Sequence, residues 1–468
     1  MHKYDVAVIG GGAGGLVVAS VAAQLGLDVA LVEKEKLLGG DCLHYGCVPS
    51  KALLRAAQVA DMARRAGDYG VHVGHAEADI KQVNAYINHA VTTIQHHDSH
   101  QRFRELGCDI YTGAARFKNT HCILAGDAEL HARRIVIATG SVACIPDIDG
   151  IRLVDYLTNE DMYSLETIPQ HLLILGAGPV GVEMAQAYAR LGSRITLIEQ
   201  AEYILPQFDR DVSRLLKQQL MSDHINIVHG GVQELRQSGD LKTVILADGR
   251  EFSGDNLLVA IGREPVVDGL ELDKAGVDYD DTGIRVNTRM QTSSRHIYAC
   301  GDVTGLMPFT HVAEQQAGVI IANAFFRIPK HMDYRVIPAV VYTEPECAQV
   351  GMNIADAEQD DAATVIEFDM QRLDRAITDN TTLGLLKLVV RKGRLTGAHM
   401  IGAHAGEIIH ELALAIQERM KLSRITTLVH AYPAYSQINR RAAGQYFRKS
   451  LFSQKTKMLV RLLNRWLP

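Results

Sequence analysis

The sequence predicts an α/β protein in which two similar units of parallel sheet and helix are followed by an α+β domain. Three observations support this prediction. The chain has 468 residues, enough for about three domains. Its composition, 47% apolar and 22% charged, is that of a globular protein and excludes wholesale disorder or a fibrous repeat. Finally, one strand–glycine–helix–strand pattern occurs twice.

The first copy of this pattern begins with the apolar, β-branched segment Tyr4–Ile9. A glycine-rich turn follows, with its key positions at Gly10, Gly12 and Gly15. A helical stretch then leads to a second apolar strand, Asp28–Glu33, which ends in an acid. The charge-free run that includes this turn contains six glycines, so we expect a strand, a turn and a helix there instead of a membrane span.

The second copy repeats these offsets 166 residues later. The strand His171–Leu175 is followed by glycines at the matching positions, Gly176, Gly178 and Gly181. A helical stretch and the strand Arg194–Glu199 complete the unit. A single pattern of this kind is weak, but two copies with matched strands, helices and acids predict two Rossmann-like dinucleotide-binding domains.

Each residue type in this pattern has a physical reason. The first glycine permits the tight turn, the second lets the backbone approach a pyrophosphate, and the third lets the helix pack closely on the strand. The pyrophosphate then lies at the positive end of the helix, and we expect Glu33 and Glu199 to accept hydrogen bonds from ribose hydroxyls. Because no arginine follows Glu199 closely, the second site is expected to take NADH in preference to NADPH.

The sequence has seven cysteines, of which only Cys42 and Cys47 lie close together. This usage is typical of a cytoplasmic protein without structural disulfides. Pro49 suits the first turn of a helix, so Cys47 is expected near a helix N-terminus, where the macrodipole lowers a thiol pKa. Lys51 adds positive charge. We therefore predict a reactive dithiol; two buried unreactive thiols are the alternative, and a zinc site lacks a second ligand pair.

The segment GGDCLHYGCVPSK, residues 39–51, resembles the active-site segment of the class I pyridine nucleotide–disulfide oxidoreductases. That family includes dihydrolipoamide dehydrogenase, glutathione reductase and mercuric reductase, and the resemblance covers essentially the whole chain. Further matching segments are Ala138–Gly140, Val259–Arg263, Tyr298–Asp302 and His311–Glu314.

The resemblance implies four domain segments. They are an FAD-binding domain in two parts (1–150 and 269–333), an NAD(P)-binding domain (151–268), and a dimerisation domain (334–468) that makes a homodimer. It implies cofactor-binding roles, beyond the glycines and acids above, for Gly40, Asp41, Lys51, Gly113, Thr139, Gly140, Val180, Gly262, Asp302, His311 and Ala313.

The resemblance also implies the order of electron transfer. A hydride passes from NADH to FAD, and electrons then pass to the Cys42–Cys47 disulfide and on to a substrate. Cys47 is the sulfur next to the flavin and Cys42 the one that exchanges with substrate. Lys51 lies near the flavin, paired with Glu183, and Val180 gates the nicotinamide. Asp41 stands where the family usually has Thr; its carboxylate raises the thiol pKa of Cys42 if it lies close by.

The chain departs from the family near its C-terminus. Disulfide-reducing members have a catalytic His before a Pro and a Glu five residues later; aligned on Pro433, these positions hold Tyr432 and Gln437. A neutral amide cannot stabilise an imidazolium, and tyrosine is a poor base at neutral pH. His430 precedes by two residues and on an extended chain points the same way as Tyr432, although a structural histidine is an equal alternative. Exchange with lipoamide or glutathione is therefore less favoured.

Mercuric reductase likewise lacks the His–Glu pair and carries an aromatic residue before the Pro. A soft metal requires thiolates and no proton shuttle. Two features argue against a true mercuric reductase. That enzyme has a vicinal cysteine pair near its C-terminus, whereas the last cysteine here is Cys347. It also has an N-terminal metal-binding module, whereas the flavin motif here begins at Tyr4. We predict an FAD-dependent NAD(P)H oxidoreductase that reduces a disulfide, a soft metal ion or a small electrophile. Dihydrolipoamide dehydrogenase and a non-catalytic, redox-responsive flavoprotein are the alternatives. No resident metal and no nucleic-acid partner are expected.

Charge is distributed unevenly along the chain. The net charge is −6, yet the last acidic residue is Glu418 and the 50 residues after it, the basic C-terminal segment, contain eleven Lys or Arg. Phe452–Leu467 is predicted to form a basic amphipathic helix. Two roles are open: the helix lies on an anionic membrane surface, or it packs on the partner subunit or on the acidic body of its own chain.

Overall fold

The structure, a computed structural model, describes residues 3–466 of the chain. They fall into two compact units. The first unit comprises the chain up to Gln200 together with Gly230–Asp333, and the second comprises Ala201–His229 together with the chain from Tyr334 onward.

The N-terminal part of the first unit is built on a seven-stranded sheet. Its elements up to Ala143 are β1 (Lys3–Ile9), α1 (Ala13–Gln24), β2 (Val29–Glu33), α2 (Gly40–His44), α3 (Cys47–Arg64), α4 (Ile80–Gln95), α5 (His100–Glu105), β3 (Cys108–Thr112), β4 (Ala115–Asn119), β5 (Cys122–Ala125), β6 (Ala128–Ile137) and β7 (Ser141–Ala143). β1 pairs in parallel with β2 and β6, and β2 pairs in parallel with β3. Strand β2 is buried along its whole length, as expected of a parallel sheet covered on both faces.

The second copy of the repeat forms a smaller parallel sheet. The elements that follow in the chain are β8 (His171–Leu175), α6 (Pro179–Leu191), β9 (Arg194–Glu199), α7 (Arg210–Ser222), β10 (Asn226–His229), β11 (Val232–Ser238), β12 (Leu241–Leu246), β13 (Glu251–Gly254), β14 (Asn256–Val259) and β15 (Arg263–Pro265). β8 lies between β9 and β14, parallel to both. β11, β12 and β13 form an antiparallel meander, and β15 returns to pair with β7.

The chain then re-enters the first sheet. The next elements are β16 (Tyr279–Asp280), β17 (Gly283–Ile284), β18 (Ile297–Ala299) and α8 (Thr310–Ala324). β18 pairs in parallel with the C-terminal half of β6, whose N-terminal half pairs with β5. Consequently β1, β2, β6 and β18 all end at one edge of the sheet. In open α/β sheets this edge is where ligands bind.

The C-terminal part of the second unit is an antiparallel sheet with helices. Its elements are β19 (Ala339–Val341), β20 (Glu346–Gly351), α9 (Ile354–Glu358), β21 (Ala363–Asp369), α10 (Asp374–Thr378), β22 (Leu385–Arg391), β23 (Arg394–Gly402), α11 (Ala405–Gln417), α12 (Leu422–Thr427), α13 (Gln437–Leu451) and α14 (Gln454–Trp466). The sheet order is β19-β20-β23-β22-β21. α11 packs on β20 and β23, and α13 packs on β21 and β22.

The predicted fold class is therefore confirmed: two Rossmann-like regions and a C-terminal α+β region. Helix α11 ends at Gln417, ahead of the left-handed backbone at Arg419 (φ 50°). The predicted tail helix begins at Gln454, after α13 ends and Ser453 accepts a hydrogen bond from the Thr456 N–H; Leu467 lies outside the described residues. Among residues 3–466, no helix has the length and apolar character needed to cross a membrane.

Candidate active site

The two closely spaced cysteines lie where the short helix α2 is followed by the N-terminus of the longer helix α3. Cys42 is in α2, and Cys47 is the first residue of α3. Pro49 occupies the first turn of α3 and is buried, so the helix begins where the sequence predicts. Cys47 is exposed and Cys42 is partly buried, and both are free thiols. The arrangement leaves one sulfur open to reagents and sets it at a helix N-terminus.

Thr310, at the start of α8, brings a second helix N-terminus to the thiols. Its hydroxyl donates a hydrogen bond to Cys42 Sγ at 3.1 Å and lies 3.4 Å from Cys47 Sγ. This hydroxyl lies between the two sulfurs, and its single proton can be donated to one of them at a time. The sequence prediction included His311 and Ala313 of this helix but missed Thr310; its position directly before the matched segment was the available signal.

The environment separates the two thiol pKa values. A hydrogen bond from Cys42, together with Thr310 and the charge of Lys51, outweighs the partial desolvation of the sulfur by neighbouring protein atoms and lowers the pKa of Cys47 to about 6. The same hydrogen bond to Cys47, together with burial, raises the pKa of Cys42. At neutral pH the reduced pair therefore holds one proton, with Cys47 as the thiolate and Cys42 as the thiol.

Lys51 and Glu183 form the ion pair beside this dithiol. Lys51 Nζ is 2.9 Å from Glu183 Oε2. The Glu183 side chain is only 6% exposed, whereas that of Lys51 is 36% exposed. The pair connects α3 to α6, so it links the dithiol segment to the second glycine motif. The buried carboxylate holds the ammonium group, and the ammonium group favours the Cys47 thiolate.

Two glycines of each motif are required by the packing of the protein itself. Gly10 and Gly176 begin the turns with positive φ (105° and 96°). A Cβ atom at Gly15 would lie 2.0 Å from the Gly10 carbonyl oxygen, and one at Gly181 would lie 1.9 Å from that of Gly176. No other residue type fits at these third positions, because the helix there touches the turn.

The second glycine of each motif is not required by protein packing. Gly12 and Gly178 have extended backbone conformations that any residue can adopt. A Cβ atom at Gly178 would meet no protein atom within 4 Å, and one at Gly12 would meet only the Cα of Gly40, at 3.8 Å. A side chain at either position would instead fill the space in front of the helix N-terminus. These cradles therefore fit a ligand phosphate.

The acids at the ends of β2 and β9 are held in the same way in both repeats. Glu33 Oε2 accepts a hydrogen bond from the Gly11 N–H, and Glu199 Oε2 accepts one from the Ala177 N–H, each at 2.6 Å. Glu33 Oε1 also accepts from the Glu35 N–H at 2.9 Å. Each acid thus closes its glycine turn, and the contact with a ribose hydroxyl stays a prediction.

A polar network joins Asp41 to Asp302. Asp41 Oδ1 lies 3.2 Å from Arg263 Nη2 and accepts a hydrogen bond from Asn159 Nδ2 at 3.2 Å. Arg263 Nε in turn donates to Ser141 Oγ at 2.8 Å, and Ser141 donates to Asp302 Oδ2 at 2.6 Å. The Asp41 charge is therefore neutralised by Arg263. Sequence reasoning missed Ser141 and Asn159, which no local pattern marks.

The remaining predicted cofactor residues lie at strand ends or helix starts. Thr139 donates a hydrogen bond to the Val266 carbonyl at 2.7 Å. The ring of His311 stacks on that of Phe309, with centroids 5.3 Å apart, and Val180 is 37% exposed at the start of α6. The others are Gly113 after β3, Gly140 after β6, Gly262 between β14 and β15, and Ala313 in α8. Their roles stay predictions.

The predicted acid–base substitutes lie in the second unit and do not share a face. Tyr432 is 71% exposed, whereas the His430 side chain is 5% exposed and its Nε2 lies 3.1 Å from Glu411 Oε2. The expectation that both point the same way is wrong, because the imidazole turns inward to the carboxylate. Asn439 Nδ2 also donates to Glu411 Oε2, at 3.1 Å. These contacts favour a structural role for His430.

The sequence also did not predict a group of side chains, of types that can bind metal ions, on the β5–β6 hairpin. Cys122 and His131 are cross-strand partners, and one ligand atom of each lies with one of Glu129 within 4.8 Å. Lys118 Nζ is 2.7 Å from Glu129 Oε2. The carboxylate charge is thus already paired with an ammonium group.

Comparisons with known proteins give a consistent result. The family model of pyridine nucleotide-disulphide oxidoreductases matches residues 4–317, and the model of that family's dimerisation domain matches residues 337–443.

Individual relatives have different names. A mercuric reductase from Lysinibacillus sphaericus is 33% identical over 440 residues, covering 92% of this chain and 80% of the relative. A dihydrolipoyl dehydrogenase from Haloferax volcanii is 33% identical over 458 residues, covering 94% and 95%. Among solved structures, the Cu(II) complex of the HOCl-induced flavoprotein disulfide reductase RclA from Escherichia coli matches with a TM-score of 0.85 and 26% identity, over 93% of this chain and 98% of that one.

Proposed function

Since this chain belongs to the pyridine nucleotide-disulphide oxidoreductase family of FAD-dependent enzymes, we propose that its Cys42–Cys47 pair passes electrons from NADH to a soft metal ion or a small electrophile. Family members use FAD and NAD(P)H, and the match to the dimerisation domain supports a homodimer. We propose the identity of the acceptor, the preference for NADH over NADPH and the roles of individual residues.

The two cradles fit the two dinucleotides. A Cβ atom added at Gly178 would have no protein atom within 4 Å and one at Gly12 would have only the Cα of Gly40, although neither backbone conformation requires glycine. The unpaired N–H groups at a helix N-terminus suit a pyrophosphate. We assign FAD to the cradle at Gly12, next to the dithiol segment, with Glu33 and Asp302 as further polar contacts. The nicotinamide dinucleotide is assigned to the cradle at Gly178.

When bound, FAD takes a hydride from the reduced nicotinamide and supplies an electron pair to the neighbouring disulfide. The chain's own residues determine where the resulting charges are held. Reduction of the Cys42–Cys47 disulfide by two electrons and one proton gives one thiol and one thiolate. Thr310 and Lys51 hold the negative charge on Cys47, and Cys42 retains the proton. Reoxidation to the disulfide delivers two electrons to the acceptor.

The acceptor class follows from the acid–base residues that this chain lacks. The family's His and Glu positions hold Tyr432 and Gln437, and the nearby His430 is directed at Glu411. Exchange with a disulfide substrate needs a proton donor for the leaving thiolate. A soft metal ion is bound by thiolates directly. The inward orientation of His430 is the single observation that carries the choice of a soft acceptor.

The names of the relatives fit both candidate functions. The mercuric reductase and the Cu(II) complex of RclA support a metal ion. Dihydrolipoyl dehydrogenase, which matches over 95% of its own length, supports a dithiol substrate. The missing His–Glu pair weighs against that second candidate, and the complete set of Cys42, Cys47, Lys51 and Glu183 weighs against a non-catalytic flavoprotein.

NADH is the proposed donor because of Glu199. Its carboxylate is fixed by the Ala177 N–H at the end of β9, where a ribose 2′-hydroxyl can donate a hydrogen bond to it. A 2′-phosphate at that position would meet a like charge. A lower KM for NADPH than for NADH would overturn this assignment.

Steady-state assays of the holoenzyme with NADH test the proposed acceptor. Hg(II) and Cu(II) represent soft metals, a quinone represents small electrophiles, and lipoamide and glutathione disulfide represent disulfides. We expect kcat/KM to be at least tenfold higher for a metal ion or the quinone than for either disulfide. Higher activity with lipoamide would identify a dihydrolipoyl dehydrogenase, and enzyme reduction without turnover on any acceptor would favour the non-catalytic alternative.

A further inference from the structure

Helix α14 exposes its apolar side chains. Met458 is 74% exposed, and Leu459, Val460, Leu462 and Leu463 are 49–54% exposed. A helix of a globular protein normally buries such a stripe against a core. In the described part of the chain nothing covers α14, so its apolar side needs a partner.

The opposite side of α14 is strongly basic. At 100° per residue, Met458, Leu459, Leu462 and Leu463 occupy an arc of about 140°. Lys457 and Arg461 project from the other side, and Arg465 lies about 20° beyond Met458, at the edge of the arc. Lys455 lies on the apolar arc at the first turn. A lysine there can extend its ammonium group towards the polar side.

No acidic side chain compensates this charge locally. Glu418 is the last acid in the sequence. Within residues 3–466, the four basic residues of α14 form no ion pair. The complementary partner of such a surface is one that carries both negative charge and an apolar layer.

A cavity next to the end of α13 has matching chemistry. Its volume is about 320 Å³, and its lining includes Arg372, Arg441, Gln445, Arg448, Leu451 and Phe452. Arg441 is paired with Asp374 at 2.8 Å, whereas Arg372 and Arg448 form no ion pair within the described residues. Gln445 Nε2 is buried without a hydrogen-bond partner there. Guanidinium groups and an unused amide donor suit a phosphate oxygen.

We propose that α14 and this cavity dock the protein on the surface of an anionic phospholipid membrane. α14 has 13 residues, about 20 Å of helix, which is shorter than the ~30 Å hydrocarbon core. It therefore lies in the interface with Leu459 and Leu463 among the acyl chains. Lys457, Arg461 and Arg465 face the headgroups, and one lipid phosphate occupies the cavity at Arg448.

Vesicle co-sedimentation of the full-length holoenzyme tests this proposal. Vesicles of phosphatidylcholine with 30% phosphatidylserine would be compared with pure phosphatidylcholine, at about 0.05 M and 0.5 M salt, since surface electrostatics are screened as salt rises. The variants are Leu459→Glu/Leu463→Glu and Lys457→Glu/Arg461→Glu. Met221→Glu/Ile377→Glu is the matched control for the leucine variant, because it adds the same charge at positions that are 58% and 56% exposed.

The wild type and the control are expected to bind the anionic vesicles at low salt and not to bind vesicles of pure phosphatidylcholine. Each α14 variant should bind at least tenfold more weakly. Lys457→Glu/Arg461→Glu removes two basic residues, each of which contributes about a fivefold gain near such a surface, and Leu459→Glu/Leu463→Glu places two carboxylates in the apolar layer. Arg448→Gln should weaken binding severalfold. Trp466 is the only tryptophan, so a blue shift of its emission on binding is also expected.

Three outcomes would overturn the proposal. The first is equal sedimentation of all variants. The second is no binding of the wild type to anionic vesicles. The third is dissociation of the dimer by Leu459→Glu/Leu463→Glu with vesicle binding unchanged, which would make a second copy of the chain the occupant of this face. NADH oxidation should be unaffected by all of these substitutions, because none lies among the residues assigned to chemistry.

Discussion

Replacing Thr310 with Val removes the hydroxyl that lies between the two sulfurs while keeping the side-chain volume. The hydroxyl oxygen lies 3.1 Å from Cys42 Sγ and 3.4 Å from Cys47 Sγ, and its one proton stabilises the Cys47 thiolate when it is donated to that sulfur. A hydrogen bond to a charged group contributes about 1.5–3 kcal/mol, and the site is partly exposed, so we take about 1.5 kcal/mol. That energy corresponds to roughly one pKa unit.

The pKa of Cys47 should therefore rise from about 6 to about 7 in Thr310→Val. The hydroxyl stabilises the thiolate, so the wild type holds more thiolate than Thr310→Val at and below about pH 7, and the difference disappears once Cys47 is ionised in both proteins. At pH 6 the thiolate fraction falls from about one half to about one tenth, which predicts a roughly fivefold slower alkylation of Cys47. Above pH 9 the two proteins should react alike.

Alkylation of the reduced enzyme by iodoacetamide, followed from pH 4 to 10 by peptide mass spectrometry, measures this midpoint. Thr310→Ser is the matched control, because it keeps a hydroxyl at the start of α8 and should keep the midpoint near that of the wild type. An unchanged midpoint in Thr310→Val, or an equal shift in both variants, would refute the role given to the Thr310 hydroxyl.

Further substitutions test three other parts of the site. Gly178→Ala should raise the KM for NADH about tenfold without changing the unfolding temperature. Gly181→Ala, whose Cβ would lie 1.9 Å from a carbonyl oxygen, should instead destabilise the fold by about 1–3 kcal/mol. If the two variants had equal effects on KM and on stability, the ligand cradle at Gly178 would be contradicted. Glu199→Gln should reduce the preference for NADH over NADPH about tenfold in kcat/KM; an unchanged ratio would count against it. Lys51→Met should lower the free energy of unfolding, measured by denaturant titration, by about 1–3 kcal/mol, allowing for the partial exposure of the ion pair. The double variant Lys51→Met/Glu183→Gln should recover part of this loss, because it leaves no unpaired buried carboxylate.

The parts of the fold that could be predicted from sequence are those encoded locally. The glycine turns, the strands beside them and the acids at their ends all lie within Lys3–Glu33 in the first repeat and within His171–Glu199 in the second, and their spacing reflects contacts between near neighbours. The position of Cys47 at a helix start was predictable for the same reason: Pro49 and the residues after it favour a helix.

The contacts that complete the site are distant in sequence. Thr310 meets Cys42 across 268 positions, Ser141 meets Asp302 across 161, and Asn159 meets Asp41 across 118. Only the assembled fold brings these residues together, so a single sequence without aligned relatives does not reveal them.

His430 shows why a local rule can mislead. Alternation along an extended chain puts residues two apart on one face, which suggested a shared direction with Tyr432. In the structure the carboxylate of Glu411, 19 positions earlier in α11, accepts a hydrogen bond from the imidazole of His430, and the ring is buried. A tertiary contact thus overrides the local geometry, as is common for polar side chains that must be satisfied when buried.

The central claim is that electrons from NADH reach the acceptor through Cys42 and Cys47. Its most direct measurement is anaerobic addition of NADH to the oxidised holoenzyme, followed by alkylation and counting of labelled cysteines. Labelling of these two residues should appear only after NADH, while the other five cysteines stay unchanged. If both thiols are already labelled before NADH, or if neither becomes labelled after it, the claim is contradicted.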